Sequence, residues 1–298
     1  MSSLTRRRFI AIAAAALAAG PALAEPARRW TGVALGARAS ITLTHPDAAA
    51  IVAAVRTEID RLEDVFSLYR TGSALSRLNR DGALEAPPFE LVECLGIAGA
   101  VHAATGGAFD PTVQPLWAVH SQAHAAGSSP DAAALSAAQR LVGWPGITVS
   151  ASRIGFPRHG MALTLNGIAQ GYVADRVARL LQARGLRDIL IDTGEFRALG
   201  GMPDGGDWPV GLEQGGKVGL RDRALATSAP LGTTFDPEGR VGHILDPRTG
   251  LPAPASDRSV SVTAPTAALA DALSTGLCLL DEHDAAKAVG HFRDCRVV

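Results

Sequence analysis

The chain has 298 residues, of which 47% are hydrophobic and 19% are charged, with a formal net charge of −1. This length suits one large domain or two small ones, and the near-balanced charge argues against a general affinity for nucleic acid, which proteins usually meet with a basic face. The three cysteines, Cys94, Cys278 and Cys295, are unclustered, so they fit neither a disulfide framework nor a zinc site.

The N-terminus has the features of an export signal. Residues 5–10 read Thr-Arg-Arg-Arg-Phe-Ile, an Ala-rich apolar run follows, and the small residues at 22–24 are typical of a cleavage site. The run is shorter than the roughly 20 residues of a membrane span, and paired arginines are typical of the twin-arginine route. We therefore predict a signal peptide, residues 1–24, cleaved after Ala24, and a periplasmic mature domain, residues 25–298. Cleavage removes three of the 28 basic residues and leaves 25 against 29 acidic ones, a net charge of −4.

Hydrophobic periodicity predicts strands and helices in alternation along the mature chain. The first half is expected to contain one strand (39–44) and three helices (47–68, 90–105 and 131–142). The second half is expected to contain a strand, helix and strand (160–165, 171–185 and 188–192), four short strands (208–212, 225–228, 240–245 and 259–262) and two helices (267–280 and 282–291). Because no repeat or clear boundary interrupts this order, we predict a single α+β domain.

Near the C-terminus, Asp271 and Thr275 stand four residues apart in a predicted helix. Residues at this spacing share one helix face, so a carboxylate and a hydroxyl point to the same place. Both are hard oxygen donors, which suit magnesium or calcium rather than zinc. The alternative is that Asp271 serves as a capping group near the start of the helix.

Three other segments combine tight turns with polar or aromatic residues. In segment 165–172, a predicted strand turns into a helix whose first N–H groups could meet an anion, although taken by itself the segment reads as a tight connection. His243 precedes a Pro-Arg-Thr-Gly turn and could be a general base, a phosphate contact or a structural histidine. Phe109 and Asp110 stand on a predicted loop where a ring could be stacked, or where Asp110 caps a turn.

Together and in this order, the four segments resemble the ApbE family of flavin transferases, from about Thr31 to Leu280. Further matches are Phe-Ser-Leu-Tyr-Arg (66–70), Ser-Arg-Leu-Asn (76–79), Asp-Thr-Gly-Glu (192–195) with Arg197 and Gly200, and Ala-Thr-Ser (226–228). The resemblance implies mixed or antiparallel sheets with flanking helices. It also implies magnesium-dependent transfer of FMN from FAD to a Ser or Thr hydroxyl of a partner protein, with release of AMP.

The resemblance also implies a set of site residues. Magnesium is expected on the main-chain carbonyl of Ala169 and on the side chains of Asp271 and Thr275, with Ser274 as a further ligand. His243 is the expected catalytic base or orienting group. The expected FAD contacts are Leu35, Tyr69, Ala108, Phe109, Asp110, Asn166, Tyr172 and Ile244. The chain departs from the usual family pattern at Leu35, Gln170 and 193–195.

The expected acceptor is a flavoprotein of a membrane-bound respiratory complex. The twin-arginine signal and the Gly-Glu-Phe-Arg sequence at 194–197 resemble family members that serve the regulator of nitrous oxide reduction. Membrane contact is expected only through the partner protein. The alternatives are a periplasmic FAD carrier, a pyrophosphatase that hydrolyses FAD to FMN and AMP, and a zinc hydrolase based on His120 and His124. A Ser-His-Asp hydrolase lacks its G-x-S-x-G elbow.

Overall fold

The computed structural model describes the backbone of residues 9–15, 28–34, 37–202, 205–256 and 258–298, and the side chains from residue 45 onward within these ranges. The strands are β1 (Phe9–Ala15), β2 (Arg28–Ala34), β3 (Ala37–Thr44), β4 (Ala83–Glu85), β5 (Thr148–Val149), β6 (Arg153–Gly155), β7 (Ile189–Asp192), β8 (Phe196–Leu199), β9 (Trp208–Gly211), β10 (Lys217–Leu220), β11 (Ala224–Ser228), β12 (Val260–Ala264) and β13 (Arg296–Val297). The α-helices are α1 (Ala48–Phe66), α2 (Ala74–Asp81), α3 (Phe89–Ala104), α4 (Gln114–Ala125), α5 (Ala132–Gln139), α6 (Ala169–Ala183), α7 (Ala267–Leu277) and α8 (Glu282–Gly290).

Eight of these strands form one sheet in the order β13-β12-β11-β8-β7-β1-β3-β2. Neighbouring strands run antiparallel except β1 and β3, which run parallel. Two smaller antiparallel sheets, β10-β9 and β4-β6-β5, complete the described strands. The predicted α+β class, with mixed sheets and flanking helices, is therefore confirmed.

Strand β1 falls inside the predicted signal peptide. It pairs with β3 on one side and with β7 on the other. Cleavage after Ala24 would remove this strand from the chain, and both the cleavage and the export route stay predictions. Residues 1–8 and 16–27, together with the expected FAD contact Leu35, lie outside the described residues. Over the part of the chain that the structure describes, no helix has the length and apolar character needed to cross a membrane.

Helix α1 illustrates how periodicity produces the core. Its apolar side chains recur every three or four residues, and Ile51, Val55, Ile59, Leu62 and Phe66 are all buried. Each buried aliphatic or aromatic side chain contributes roughly 1.5–3 kcal/mol of hydrophobic free energy. The helix predicted over 47–68 is therefore found within two residues at each end.

Helices α6 and α7 cross closely in the core, and each caps the other. Gly171 permits the approach, because a Cβ at this position would lie 2.3 Å from the carbonyl oxygen of Ala267. The Asp175 carboxylate of α6 accepts hydrogen bonds from the N–H groups of Ala267 and Ala268, each at 2.9 Å. The Asp271 carboxylate of α7 accepts one from the N–H of Gly171 at 3.2 Å. Reciprocal capping fixes the N-termini of both helices relative to each other.

The strand predicted over 160–165 is wrong. Its apolar residues are buried in alternation, as in a strand, but its main chain pairs with no neighbouring strand among the described residues. The N–H and carbonyl of Leu163 instead bond to the side chain of Asn79, each at 2.8 Å, and the Thr164 N–H donates to the carbonyl of Pro111. The Asn79 side chain and the Pro111 carbonyl thus satisfy backbone groups that a sheet would otherwise satisfy.

The strand predicted over 240–245 is also wrong. This segment makes only isolated bridges, between Thr234 and Gly242 and between Leu245 and Pro252. The Asp236 carboxylate accepts the N–H groups of Arg240 and Val241, which folds the segment back on itself before a ladder can form. Helices α2 and α4 were not predicted. Helix α2 has only eight residues, and α4 buries only Leu116 and His120, so its sequence shows little apolar periodicity.

Candidate active site

One pocket lies beside α7 and encloses about 740 Å³ of empty space, part of it open to solvent. Its wall is formed by segments that are far apart in the chain. The first is the turn before α4, and the last follows the end of α7. It brings together most of the predicted site residues, namely Ala108, Phe109, Asp110, Asn166, His243, Ile244, Asp271 and Thr275. The other lining residues were given no individual site role from the sequence, namely Pro111, Val113, Trp117, Thr164, Gly167, Ser228, Leu245 and Leu279.

Asp271 and Thr275 project into this pocket from the same face of α7, as their spacing predicted. Asp271 is only 2% exposed. It caps the neighbouring helix α6 through the Gly171 N–H, and not its own helix α7 as the capping alternative proposed. At Gly167 a Cβ would lie 2.9 Å from the Thr275 hydroxyl oxygen, so a side chain there would crowd this donor. The donors are all oxygens, and this chemistry fits a hard divalent cation.

The other two expected metal ligands do not line the pocket. Ala169 is the first residue of α6 and is buried. Ser274 is fully buried, and its hydroxyl donates to the main-chain carbonyl of Asp271 at 3.0 Å. Their roles as ligands stay predictions.

His243 lies on a loop whose geometry fixes the tautomer of its ring. Its main-chain N–H and its Nδ1 lie 3.0 and 2.8 Å from the carbonyl oxygen of Thr233. Because a carbonyl only accepts, Nδ1 carries a hydrogen, and in the neutral ring Nε2 then carries the lone pair. Gly242 lets the loop pass close to the preceding segment, since a Cβ would lie 2.1 Å from the carbonyl oxygen of Pro230. The loop therefore presents the tautomer that a base acting through Nε2 requires.

Asp110 both caps a turn and lines the pocket. One carboxylate oxygen accepts the N–H and hydroxyl of Thr112, at 2.8 and 2.6 Å, and the other accepts the N–H of Trp144 at 3.3 Å. Asp110 therefore caps a turn, as one of the two interpretations of the sequence proposed. Gly276 lets α7 approach Phe109, because a Cβ would lie 2.9 Å from the Cβ of Phe109. These contacts hold Phe109 and Asp110 against the helix that carries the oxygen donors.

The two tyrosines expected to contact FAD do not line the pocket. Tyr69 is 79% exposed on the loop after α1. Tyr172 is 1% exposed, packs edge-on against Phe66 with ring centroids 5.3 Å apart, and donates its hydroxyl to Glu93. Burial, with the Glu93 carboxylate, raises the pKa of Tyr172. Contacts of both tyrosines with FAD stay predictions.

The histidine pair behind the zinc alternative is packed with an aromatic ring. The rings of His120 and His124 lie nearly parallel to Phe235, with centroids 5.5 and 5.9 Å from it, and the His120 Nε2 lies 3.0 Å from the Gly250 carbonyl oxygen. Across the described ranges, no group of three His, Cys, Asp or Glu side chains is placed to hold a metal. The pair instead joins α4 to the loop that carries His243.

This packing predicts a pH-dependent contribution to stability. His120 is 3% exposed, its Nδ1 has no hydrogen-bond partner among the described residues, and burial lowers its pKa. Below about pH 6.5 the unfolded chain therefore binds more protons at this position than the folded chain, and stability is lost as the pH falls. We expect the Tm to fall between about pH 7.5 and about pH 5.5, and to fall less in His120→Gln, whose amide can donate to Gly250 without titrating. Exposed His159→Gln is the control, and an equal fall in His120→Gln would contradict the prediction.

The fold and the pocket define an α+β protein in which oxygen donors on a core helix and a loop histidine share one pocket. Within that class, the chain matches the ApbE family over residues 35–298. It is 30% identical over 299 residues to a FAD:protein FMN transferase of Vibrio cholerae, an alignment that covers 93% of this chain and 88% of that protein. The chain belongs to the ApbE family.

Solved structures agree with this assignment. The apo form of the Pseudomonas stutzeri flavinyl transferase ApbE superposes with a TM-score of 0.77 at 28% identity, covering 90% of each chain. The flavin transferase ApbE of Vibrio cholerae superposes with a TM-score of 0.74 at 26% identity, covering 91% of this chain and 93% of that one. The helices and mixed sheets described above are therefore those of the ApbE fold.

Proposed function

We propose that this chain is a FAD:protein FMN transferase, which moves FMN from FAD to a Ser or Thr hydroxyl of a partner protein and releases AMP. The family match and the names of its relatives support the activity. The observation that carries the proposal is the pocket itself, because Asp271, Thr275 and His243 are brought into one wall from distant parts of the chain. A cation ligand set and a base are the two requirements of this reaction that a protein supplies.

The ligand set that we propose for magnesium is the Asp271 carboxylate, the Thr275 hydroxyl oxygen and the Ala169 carbonyl. The fit is one of donor type, since these are the hard oxygens that magnesium prefers. When bound, magnesium would neutralise charge on the FAD phosphates and on the leaving oxygen. Asp271 also holds the N-terminus of α6 through the Gly171 N–H. The same carboxylate would therefore bind magnesium and fix the position of α6.

The chemistry of this chain's own residues centres on His243. Its Nε2 would take the proton of the acceptor hydroxyl while the hydroxyl oxygen attacks the phosphorus of the FMN half of FAD. A new P–O bond forms, the bond between that phosphorus and the bridging oxygen breaks, and AMP leaves with the oxygen. Phe109, Trp117 and Leu279 give the pocket an apolar surface suited to aromatic rings.

Two alternatives share the same pocket. An FAD carrier would need the binding surface but no base, so the oriented His243 favours transfer. A pyrophosphatase would use water in place of the acceptor hydroxyl, and only product analysis separates it from a transferase.

The acceptor that we propose is a flavoprotein of a membrane-bound respiratory complex, and the regulator of nitrous oxide reduction is the particular candidate. The twin-arginine pattern at 5–10 and the Gly-Glu-Phe-Arg sequence at 194–197 support this choice of acceptor. We also propose that the chain acts in the periplasm after cleavage behind Ala24. N-terminal sequencing of the exported protein tests the cleavage, and an intact residue 1–24 segment would contradict it.

The test of the function is a transfer reaction with defined products. The purified chain is incubated with FAD, magnesium and an acceptor domain, and the acceptor mass and the released nucleotide are measured. We expect the acceptor to gain one FMN in phosphoester linkage and AMP to appear in equal amount. FAD that binds but stays intact with every acceptor would identify a carrier. Free FMN and AMP beside an unmodified acceptor would identify a pyrophosphatase.

A further inference from the structure

At the pocket wall, three hydroxyl groups and a main-chain carbonyl form a row. Thr275 Oγ1 lies 3.2 Å from Ser228 Oγ, Ser228 Oγ lies 2.8 Å from Ser274 Oγ, and Ser274 Oγ lies 3.0 Å from the carbonyl oxygen of Asp271. Ser228 is the last residue of β11 and is 4% exposed. The row therefore connects the hydroxyl of one expected ligand to the backbone of the other.

The direction of these hydrogen bonds follows from the number of hydrogens. Each hydroxyl has one hydrogen and two lone pairs, and a carbonyl only accepts. Ser274 donates to the carbonyl of Asp271. Because its single hydrogen is used there, Ser228 must donate to Ser274, and Thr275 must in turn donate to Ser228. The Thr275 oxygen is then left with lone pairs only for any further contact.

We infer that Ser228 is a positioning residue for the cation site. It accepts the hydrogen of Thr275, so that Thr275 offers the pocket an oxygen ligand and not a donor. The inference rests on the magnesium site of the proposed function. A Thr275 hydrogen turned toward the pocket would favour a phosphate oxygen, whereas an oxygen bearing only lone pairs favours a cation. Ser274 then acts through Ser228, in place of the ligand role that the resemblance implied.

The neighbouring residue on β11 provides a matched control. Thr227 Oγ1 lies 2.8 Å from Ser261 Oγ of β12, and Thr227 is not part of the pocket wall. Successive side chains of a strand point to opposite faces of the sheet. Thr227→Ala therefore removes one hydroxyl pair from the same strand and leaves the Ser228 row intact.

The test measures Mn²⁺ binding by electron paramagnetic resonance, with the full chain, saturating FAD and no acceptor. We expect Ser228→Ala to bind Mn²⁺ about tenfold more weakly, the scale typical of groups that orient metal ligands, and Thr227→Ala to bind it like the unsubstituted chain. FAD affinity measured by flavin fluorescence is expected to fall more in magnesium than in EDTA for Ser228→Ala, because the row acts through the cation. The double variant Ser228→Ala with Ser274→Ala is expected to bind Mn²⁺ no more weakly than the weaker single variant, because both changes break one row.

Unchanged Mn²⁺ affinity in Ser228→Ala would overturn the inference. Equal losses of FAD affinity with and without metal would also overturn it, because they indicate a general distortion of the pocket. So would additive losses in the double variant, since independent ligands contribute separately. If Ser228→Ala does not fold, Ser274→Ala carries the same expectation against the same control. An unsubstituted chain that binds no Mn²⁺ in the presence of FAD would contradict the magnesium site itself, before any variant is compared.

Discussion

Replacing Asp271 by Asn is expected to lower the rate of FMN transfer by roughly 100-fold or more while the chain stays folded. The change removes the only carboxylate among the proposed magnesium ligands. The amide oxygen still accepts the hydrogen bond from the Gly171 N–H, so α6 keeps its cap. Loss of the charge at this helix N-terminus costs only about 0.3–1 kcal/mol of stability. Asp271→Asn should therefore lose most of its transfer activity with little loss of stability.

The measurement is the initial rate of acceptor labelling over a range of magnesium concentrations, with the Tm of each variant beside it. The matched control is Asp131→Asn, since Asp131 is an exposed carboxylate that caps α5 through the N–H groups of Ala133 and Ala134. We expect the control to transfer FMN at the unsubstituted rate. Asp271→Asn with full activity and an unchanged magnesium requirement would refute the ligand role.

Replacing His243 by Gln is expected to lower the rate of transfer by about 100-fold to 10,000-fold, the range typical of a lost general base. The amide can still donate to the Thr233 carbonyl, so the loop keeps one contact of the imidazole. It has no lone-pair nitrogen that can take the proton of the acceptor hydroxyl. FAD and metal binding should remain close to those of the unsubstituted chain, because the base acts on the acceptor.

Single-turnover labelling at saturating FAD separates the chemical step from binding. Exposed His159→Gln is the matched control and should not change the rate. A His243→Gln variant that labels its acceptor normally would exclude the base role. A variant that loses FAD affinity in proportion to its rate would assign His243 to substrate binding instead.

Local sequence was sufficient to define some elements of this fold, whereas long-range contacts decided others. The spacing of Asp271 and Thr275 was sufficient to place both on one face of α7, and the apolar period of α1 was sufficient to define its buried side. The strand predicted over 160–165 failed although its burial alternates. Alternation describes which side chains are buried, whereas a strand also needs a neighbouring backbone, and Asn79 takes that place.

The candidate site shows the same division. The resemblance assigned site roles to eight of the sixteen residues that line the pocket, but Ser228 was included only as part of an Ala-Thr-Ser match, with no contact assigned. The role of its hydroxyl depends on contacts with Ser274 and Thr275, which lie more than forty residues further along the chain. Tyr172 shows the converse, because it belongs to the predicted strand-to-helix segment 165–172 but packs in the core against Phe66.

The sequence by itself determined the α+β class, the apolar faces of the long helices and the oxygen chemistry on α7, because periodicity and residue type act over a few neighbouring residues. Only the tertiary structure decided that Asp271 caps α6, that Thr233 sets the tautomer of His243, and that Ser228 connects to Thr275. These contacts join residues that are 10, 47 and 100 positions apart, and their geometry depends on the packing of the core around Gly171 and Gly276.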